Sequence, residues 1–440
     1  MEVTYSHCAG LDVHEKTVVA CCMVGGAEGK TERQTRTFST MSQDLLALSD
    51  WLSSHEMTHV AMESTGEYWK PVYNILEGNF TVLVVNVQHV KTVPGRKTDI
   101  KDAEWLAELL QYGLLQGSFI LPLRQRDLRD LTRQRTNLVR EKATVINRLQ
   151  KVLEWANLKL ASVVSDISGV SSRKILSALV EGQQDPELLA NFARGRLRQK
   201  REQLVSALQG NVREHHCFLL ASHLSHIDFL DDQIALFDDQ IVKQLETADS
   251  DAAATVKSAT SEAKEEQQAL PPLAWQEAAT LLDTIPGIGR QTAELIIAEI
   301  GTDMSRFPSA THLARWARLC PGNHESAGKR ISGRTGSGNR WLRSALVQAA
   351  QAAVHCRNTF FGGLYHRLVF RRGKNRAIVA VAHHLLTAIY HMLQKHEPFQ
   401  DLGANYWDER QKTSVVRRLC HRISQLGYQV NLEPVASSIG

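Results

Sequence analysis

Cys8-Ala9-Gly10-Leu11-Asp12-Val13 is a short apolar run whose single charge is the carboxylate of Asp12. Such a run predicts a buried strand that delivers one acid to the rim of a sheet. The β-branched, cysteine-rich segment Thr17 to Met23 predicts its partner, with Gly25-Gly26 turning the chain, and Thr35 to Phe38 predicts a third strand. A helix is expected over Leu45 to Leu52. His59-Val60-Ala61-Met62-Glu63 is a further strand that ends in an acid, and Thr81 to Val87 is apolar enough to be buried on both faces. Lys97-Thr98-Asp99-Ile100-Lys101-Asp102 then opens a helix through Gln111, with Ala103, Leu106, Ala107 and Leu110 on one face. Residues 1–122 therefore read as an α/β domain.

Four acids fall on the landmarks of this domain. Asp12 and Glu63 end strands, while Asp99 and Asp102, spaced i, i+3, share one helix face. If the sheet brings them together, they form an oxygen-only cluster suited to Mg²⁺ or Mn²⁺. Two such ions can clamp the attacking and leaving oxygens of a phosphoryl transfer. The plainer alternative is that Asp99 caps a helix and Asp102 sits in its first turn, where acids are favoured.

The rest of the 440-residue chain is sorted by charge. Arg306 to Arg376 holds twelve Arg and two Lys against one acid, Glu325, although the whole protein carries only +4. Segregation of this kind points to a polyanionic partner. The stretch contains Cys320-Pro321-Gly322-Asn323-His324-Glu325-Ser326-Ala327-Gly328-Lys329-Arg330 and Gly333-Arg334-Thr335-Gly336-Ser337-Gly338-Asn339-Arg340. Small residues there let backbone approach closely, and arginine is the side chain that best grips phosphate. The seven cysteines are odd in number and form no CxxC pair, which suggests reduced thiols in a cytoplasm and neither a disulfide frame nor a zinc site. The segment Ala377 to Leu393 is broken by His383, His384 and His391, so it is expected as a buried or amphipathic helix with no membrane role.

Between these regions lie two heptad series. Leu131, Leu138, Val145 and Val152 repeat every seven in a basic helix over residues 124–155, supported by Leu128 and Leu149. Leu220, Ile227, Ile234 and Ile241 repeat in a second helix that is acidic outside, supported by Leu230 and Phe237. The two pair with each other, or across a dimer. The basic helix is a solvated face or a track for a nucleic-acid backbone, with Arg135, Arg140 and Lys142 as contacts. Asp249 to Gln268, nearly free of large apolar residues, reads as a linker closed by Pro271-Pro272. Then Ile285-Pro286-Gly287-Ile288-Gly289-Arg290, between two helical patterns, has the form of a helix-hairpin-helix. Gly287 and Gly289 would free backbone N–H groups for a phosphate.

Several of these motifs, in this order, resemble the DEDD transposases of bacterial insertion sequences, the family of Piv-type DNA invertases and bridge-RNA-guided serine recombinases. They are Gly10-Leu11-Asp12-Val13-His14, Met62-Glu63-Ser64-Thr65-Gly66-Glu67-Tyr68, Lys97 to Ala103, Ile285 to Gly289, Leu319-Cys320-Pro321, Glu325-Ser326 and Asn339-Arg340-Trp341-Leu342-Arg343. The resemblance implies an RNase H-like, RuvC-like N-terminal domain over 1–122 with Asp12, Glu63, Asp99 and Asp102 as its metal tetrad. It implies a mostly helical C-terminal transposase domain over 276–400, whose serine attacks DNA. Ser326 matches the family position, with Ser332 and Ser337 as alternatives. Residues 123–248 are then a coiled-coil region for oligomerisation into a dimer or tetramer, 249–275 a linker and 401–440 a tail.

The implied activity is Mg²⁺-dependent strand cleavage and rejoining through a serine–DNA link, on donor and target DNA, with a structured guide RNA as partner. Arg330, Arg334, Arg340 and Arg343 would neutralise phosphate charge. The rival reading is a hydrolytic nuclease of the Holliday-junction-resolvase type, with water as nucleophile.

Overall fold

The computed structural model describes residues 3–25, 31–64, 66–85, 99–259, 271–321, 324–326, 329–332, 335–336 and 338–432. It divides into two units, Met1–Pro122 and Leu123–Gly440.

The first unit is built on one mixed sheet. Its strands are β1 (His7–Val13), β2 (Thr17–Gly25), β3 (Thr31–Ser39), β4 (His59–Glu63) and β5 (Thr81–Val85), in the order β3-β2-β1-β4-β5. β1 is antiparallel to β2 and parallel to β4, β2 is antiparallel to β3, and β4 is parallel to β5. Alternation along β1 divides the core. Ala9, Leu11 and Val13 pack with the buried faces of α1 (Ser42–Ser54) and α2 (Trp69–Leu76), while Cys8 packs with Ala61 and the apolar face of α3 (Asp99–Gln111). β3 is longer than its apolar signal, because a polar edge strand is held by its ladder to β2 and needs no buried face. Residues 86–87 of the expected fifth strand lie outside the described residues. The helix α2 has a short 3.6-residue stripe, Trp69, Val72, Tyr73 and Leu76, that the reading of the sequence passed over.

The second unit begins with α4 (Leu123–Trp155). This helix packs along α9 (Glu214–Ala259) in the same chain. Leu128, Val145, Leu149 and Val152 are buried on α4, and Leu220, Ile227, Leu230 and Ile241 on α9. Of the two pairings open to the heptads, the intrachain one is observed. α9 also runs past residue 248 to Ala259, into the expected linker, because Asp249 to Ala259 holds no Gly or Pro and three consecutive alanines favour the helix. Residues 260–270 lie outside the described residues.

The segment that connects α4 to α9 forms a cap of short elements on the helix pair. They are α5 (Leu160–Val163), α6 (Val170–Val180), α7 (Pro186–Ala190), a 3₁₀ turn (Gly195–Lys200) and α8 (Arg201–Ala207), with an apolar core shared with α4 and α9. The C-terminal part comprises α10 (Trp275–Asp283), α11 (Arg290–Ile300), α12 (Ala310–Trp316), the hairpin β6 (His324–Ser326) and β7 (Lys329–Ser332), α13 (Arg340–Ala353), α14 (Phe360–Arg372), α15 (Lys374–Lys395), α16 (Tyr406–Arg410) and α17 (Lys412–Gln425). α15 is long and apolar enough to cross a bilayer by composition, but more than half of that stretch is buried, and it packs against α10, α12, α13 and α14. It is the central core helix the sequence suggested, lined by Val381, Leu385, Leu386 and Ile389.

Candidate active site

Gly10 fixes the acid end of the first unit. A Cβ on this residue would lie 2.2 Å from the carbonyl oxygen of Ala103 and 2.4 Å from the amide nitrogen of Ala107. Only glycine therefore lets α3 lie directly on β1. The far end of α3 is tied to the start of β1, where the amides of Thr4 and Tyr5 donate to the Gln111 carbonyl at 2.9 and 3.1 Å. α3 thus runs antiparallel to β1. Its first turn, with Asp99 and Asp102, lies toward the end of β1 that carries Asp12.

The parallel register Leu11↔Met62 puts Asp12 and Glu63 next in line on neighbouring strands. Gly10 and Ala61 face α3, so by the two-residue alternation Asp12 and Glu63 are directed to the same face. Asp12 is only 8% exposed and accepts a hydrogen bond at 3.1 Å from Nε2 of His14 in the protonated or Nε2–H form. A carboxylate so far removed from water needs a partner. Glu63 and Asp102 are half-buried, and the side chain of Asp99 lies outside the described residues. Among the described residues, no three His, Cys, Asp or Glu are gathered closely enough to hold a metal ion. By chemistry the set is oxygen-only, which fits a hard divalent cation.

In the second unit the proposed nucleophile lies on the β6–β7 hairpin. Ser326 pairs with Lys329, Glu325 with Arg330, and His324 with Ser332, with an irregularity between His324 and Glu325. Ser326 therefore stands beside the turn and Ser332 at the opposite, open end. Ser337 and Arg334 lie outside the described residues, as do the side chains of Ser326, Arg330 and Ser332. Cys320, just before the hairpin, has its Sγ 3.9 Å from Nδ1 of His383. Burial pushes this thiol up and the His383 imidazole down, so both are neutral near pH 7. This pair is not an activated thiolate.

The arginines separate into two kinds. Arg135 is buried, and its guanidinium donates to Asp238 at 2.7 Å, to Glu294 at 2.7 Å and to the Gln291 carbonyl at 2.9 Å. This corrects its expected role, because its charge is consumed inside the protein and none is left for a phosphate. Arg133 makes a two-pronged pair with buried Glu299 at 2.7 and 2.9 Å. Lys142 is paired with Asp231 on α9.

Arg140 and Arg340 are exposed, with their guanidinium carbons 4.9 and 5.0 Å from the centre of the Trp341 ring, and Arg133 reaches the same ring at 5.7 Å. Arg140 also donates to Ser344 Oγ at 3.2 Å, and Arg343 to the Arg318 carbonyl at 3.2 Å. Asn339 caps α13 through the amides of Trp341 and Leu342 at 3.0 and 3.1 Å, and its own amide donates to Glu299 at 2.5 Å. The reading of the sequence missed Trp341 and Glu299. An aromatic directly after Arg340 was the available signal for the first, and a buried glutamate on α11 has none.

α10 and α11 pack against each other and are joined by a short turn. Gly287 has φ +89°, and a Cβ there would lie 2.5 Å from the Ala349 carbonyl oxygen and 2.6 Å from the Ala353 amide nitrogen. Its side of the turn is filled by α13, so packing dictates this glycine. Gly289 opens α11, and a methyl group in place of its hydrogen would meet nothing within 4 Å, so space remains beside the helix start.

An α/β unit with strand-end acids, followed by a helical unit that carries a strongly basic stretch of sequence, is the organisation of a DEDD transposase. A family model of that type, described as Transposase, matches residues 9–157, and one described as Transposase IS116/IS110/IS902 family matches residues 279–365. Together they cover more than half of the sequence, and the chain belongs to this family of insertion-sequence transposases.

Among similar proteins, the pilin gene-inverting protein of Moraxella bovis is 38% identical over 125 residues, which is 28% of this chain and 38% of that protein. The match thus spans well under half of the Moraxella protein. The transposase for insertion sequence element IS1111A of Coxiella burnetii is 24% identical over 349 residues, 78% of this chain and 79% of its own length. A solved structure, T. thermophilus RuvC in complex with a Holliday junction substrate, aligns with 26% of this chain and 99% of its own, at 13% identity and a TM-score of 0.20.

Proposed function

We propose that this protein is a DNA recombinase that excises and inserts its own insertion sequence, with an RNase H-like catalytic domain and a serine nucleophile. The observation that supports the reading is the register of the acid-bearing elements at one end of the sheet. Asp12 and Glu63 end paired parallel strands on the face covered by α3, and the first turn of α3 brings Asp99 and Asp102 toward that end.

These four carboxylates would hold Mg²⁺ or Mn²⁺, which when bound supplies Lewis-acid stabilisation of phosphate oxygens. Asp12, nearly buried and oriented by His14, is the anchor of the set. Ser326 Oγ attacks phosphorus as its proton passes to solvent. The Oγ–P bond forms, the bond from phosphorus to the leaving nucleotide oxygen breaks, and that oxygen takes a proton. Attack by the hydroxyl of another strand reverses these changes and frees Ser326. Because one phosphodiester replaces another, rejoining needs no ATP. Arg340, Arg343 and Arg140 with Gly289 provide cations and backbone donors for the DNA backbone. Arg330 and Arg334 extend the same basic stretch. By resemblance to its family, target choice falls to a structured RNA.

The test is circle-junction formation. The gene would be expressed beside its native flanking DNA and the joined excision product detected by PCR. Wild type should give the junction, and Asp12→Ala and Ser326→Ala should not. If Ser326→Ala still excises while Asp12→Ala does not, another serine or water is the nucleophile, and the hydrolytic alternative gains.

A further inference from the structure

The cap between the long helices matches neither family model from residue 158 onward, and no functional residue is carried into it by resemblance. Its most charged segment is Asn191-Phe192-Ala193-Arg194-Gly195-Arg196-Leu197-Arg198-Gln199-Lys200-Arg201, with five cations and no acid. The 3₁₀ turn folds this run back toward the start of α6. The Arg194 amide donates to Ser171 Oγ at 3.0 Å, and the Arg198 Nε to the Ala193 carbonyl at 3.2 Å. Between the turn and α6 lies a cavity of about 470 Å³ lined by Arg194, Arg196, Lys200, Ser171, Ser172 and Asp166, among others.

The charges of this segment are not equivalent. Arg201 is spent on Glu187 and Asn191, and Lys200 donates to the Val163 carbonyl at 3.3 Å. Arg194 and Arg196 are exposed and, among the described residues, form no ion pair with an acid. One acid lines the cavity. Asp166 Oδ1 accepts from the amide and hydroxyl of Ser168 at 2.8 and 2.7 Å, which anchors that carboxylate in its own loop. Three cations against one engaged anion leave the cavity positive. The 11-residue helix α6 starts at its wall with no side-chain cap, adding partial positive charge.

We infer that this cavity is a docking site for the phosphodiester backbone of a nucleic acid, separate from the basic stretch of the C-terminal part. A single small anion would use the cavity alone. The cationic run extends beyond it to Arg198, and exposed Lys174 follows on α6, whereas Arg173 is paired with Asp228, so a polymer with repeated phosphates uses more of the charge than a single small anion does. The choice of nucleic acid rests on the recombinase reading. Duplex DNA and folded RNA present the same backbone chemistry.

The experiment uses the full chain carrying Arg194→Ala and Arg196→Ala together, with Arg194→Lys and Arg196→Lys as the charge-preserving control. Binding to a labelled DNA duplex and to a labelled RNA hairpin of equal length is measured by fluorescence anisotropy between about 50 and 200 mM salt. The alanine pair should weaken binding about tenfold or more and lower the salt slope by about two, with the lysine pair close to wild type. Loss on only one polymer identifies that polymer as the occupant. Unchanged affinity and slope on both polymers overturn the proposal. So does a thermal shift by inorganic phosphate that the alanine pair abolishes while polymer binding is untouched. Excision by Asp12→Ala, scored separately, would sink the recombinase reading without altering this binding result.

Discussion

In the N-terminal unit the buried charge, Asp12, stands at the end of a strand with its neighbours Glu63 and Asp102 half-exposed. In the helical unit the buried charges Arg135 and Glu294 stand inside helices and pair with each other, and buried Glu299, near the end of α11, is paired with Arg133. Both regions bury ions, but they use them differently. A charge at an element's end, facing partial exposure, is available to a ligand. A charge in mid-helix with three internal partners is a means of holding α4, α9 and α11 in register. Position along the element together with internal pairing therefore separates function from architecture better than a count of basic residues does.

The sharpest way to break this contrast is to remove one charge from each region. Arg135→Ala leaves buried Glu294 with only the partly exposed Arg290 as its cation, a change expected to cost about 3 kcal/mol and to show as a large fall in the urea midpoint of the helical unit. Asp12→Asn should abolish excision, yet leave the midpoint of the N-terminal unit unchanged or raised, because a buried anion becomes a neutral amide. A marginal Arg135→Ala effect, or a collapse of the fold with Asp12→Asn, would reverse the assignment.

Two glycines sharpen it next. Gly10→Ala forces a methyl into the backbone of α3, and Gly287→Ala does the same against α13 at a residue with positive φ. Each should cost about 1 to 3 kcal/mol or more. Their consequences differ by region. Gly10→Ala displaces the turn that carries Asp99 and Asp102, so residual activity should fall well beyond what lost stability explains. Single-turnover cleavage on the folded fraction would measure this. Equal activity per folded molecule would mean that α3 does not position the acids.

A smaller effect is expected at the exposed arginines. Arg140→Ala removes a guanidinium from the face of Trp341 and should change stability by no more than about 0.5 kcal/mol. It should lower the salt slope of DNA binding by about one. If it instead destabilises the fold as Arg135→Ala does, the division into exposed and consumed arginines fails within α4 itself.

Much of the first unit was legible because strands announce themselves by apolar runs. The acids of Cys8 to Val13 and His59 to Glu63 sit where those runs stop, and period-two alternation then orients them. The heptads of α4 and α9 were equally plain. Whether they would meet within one chain or across a dimer was not, since a seam of leucines and isoleucines carries no label for which copy supplies its partner. Arg135 was misassigned for the same reason: its partners Asp238 and Glu294 lie 103 and 159 residues away. The turn at Arg194 to Lys200 shows its charge in sequence, but the cavity exists only once that turn is folded against α6.

The two units should also differ in their response to pH, although burial of Cys320 gives the helical unit an alkaline-side loss of its own. In the helical unit burial lowers His383 and His384 below the ordinary 6.5, so the unfolded chain binds more protons than the folded one as pH falls through 6.5. That contribution to stability is complete above 6.5 and shrinks below it. In the N-terminal unit burial pushes the thiols of Cys8 and Cys22 from 9.0 up to about 12. Here the unfolded chain loses protons first, so stability declines as pH rises past 9.0 toward 12. His59, lowered by burial in that unit, adds an acid-side loss of the same sign as the helical unit's. Pulse proteolysis across this range, with fragments assigned to each unit, should show alkaline weakening first in Met1–Pro122. His384→Gln should flatten the acid limb of Leu123–Gly440 while leaving the alkaline limb of the other unit in place. Alkaline weakening confined to the helical unit would show that the sheet's thiols are not held in the dry core their burial describes.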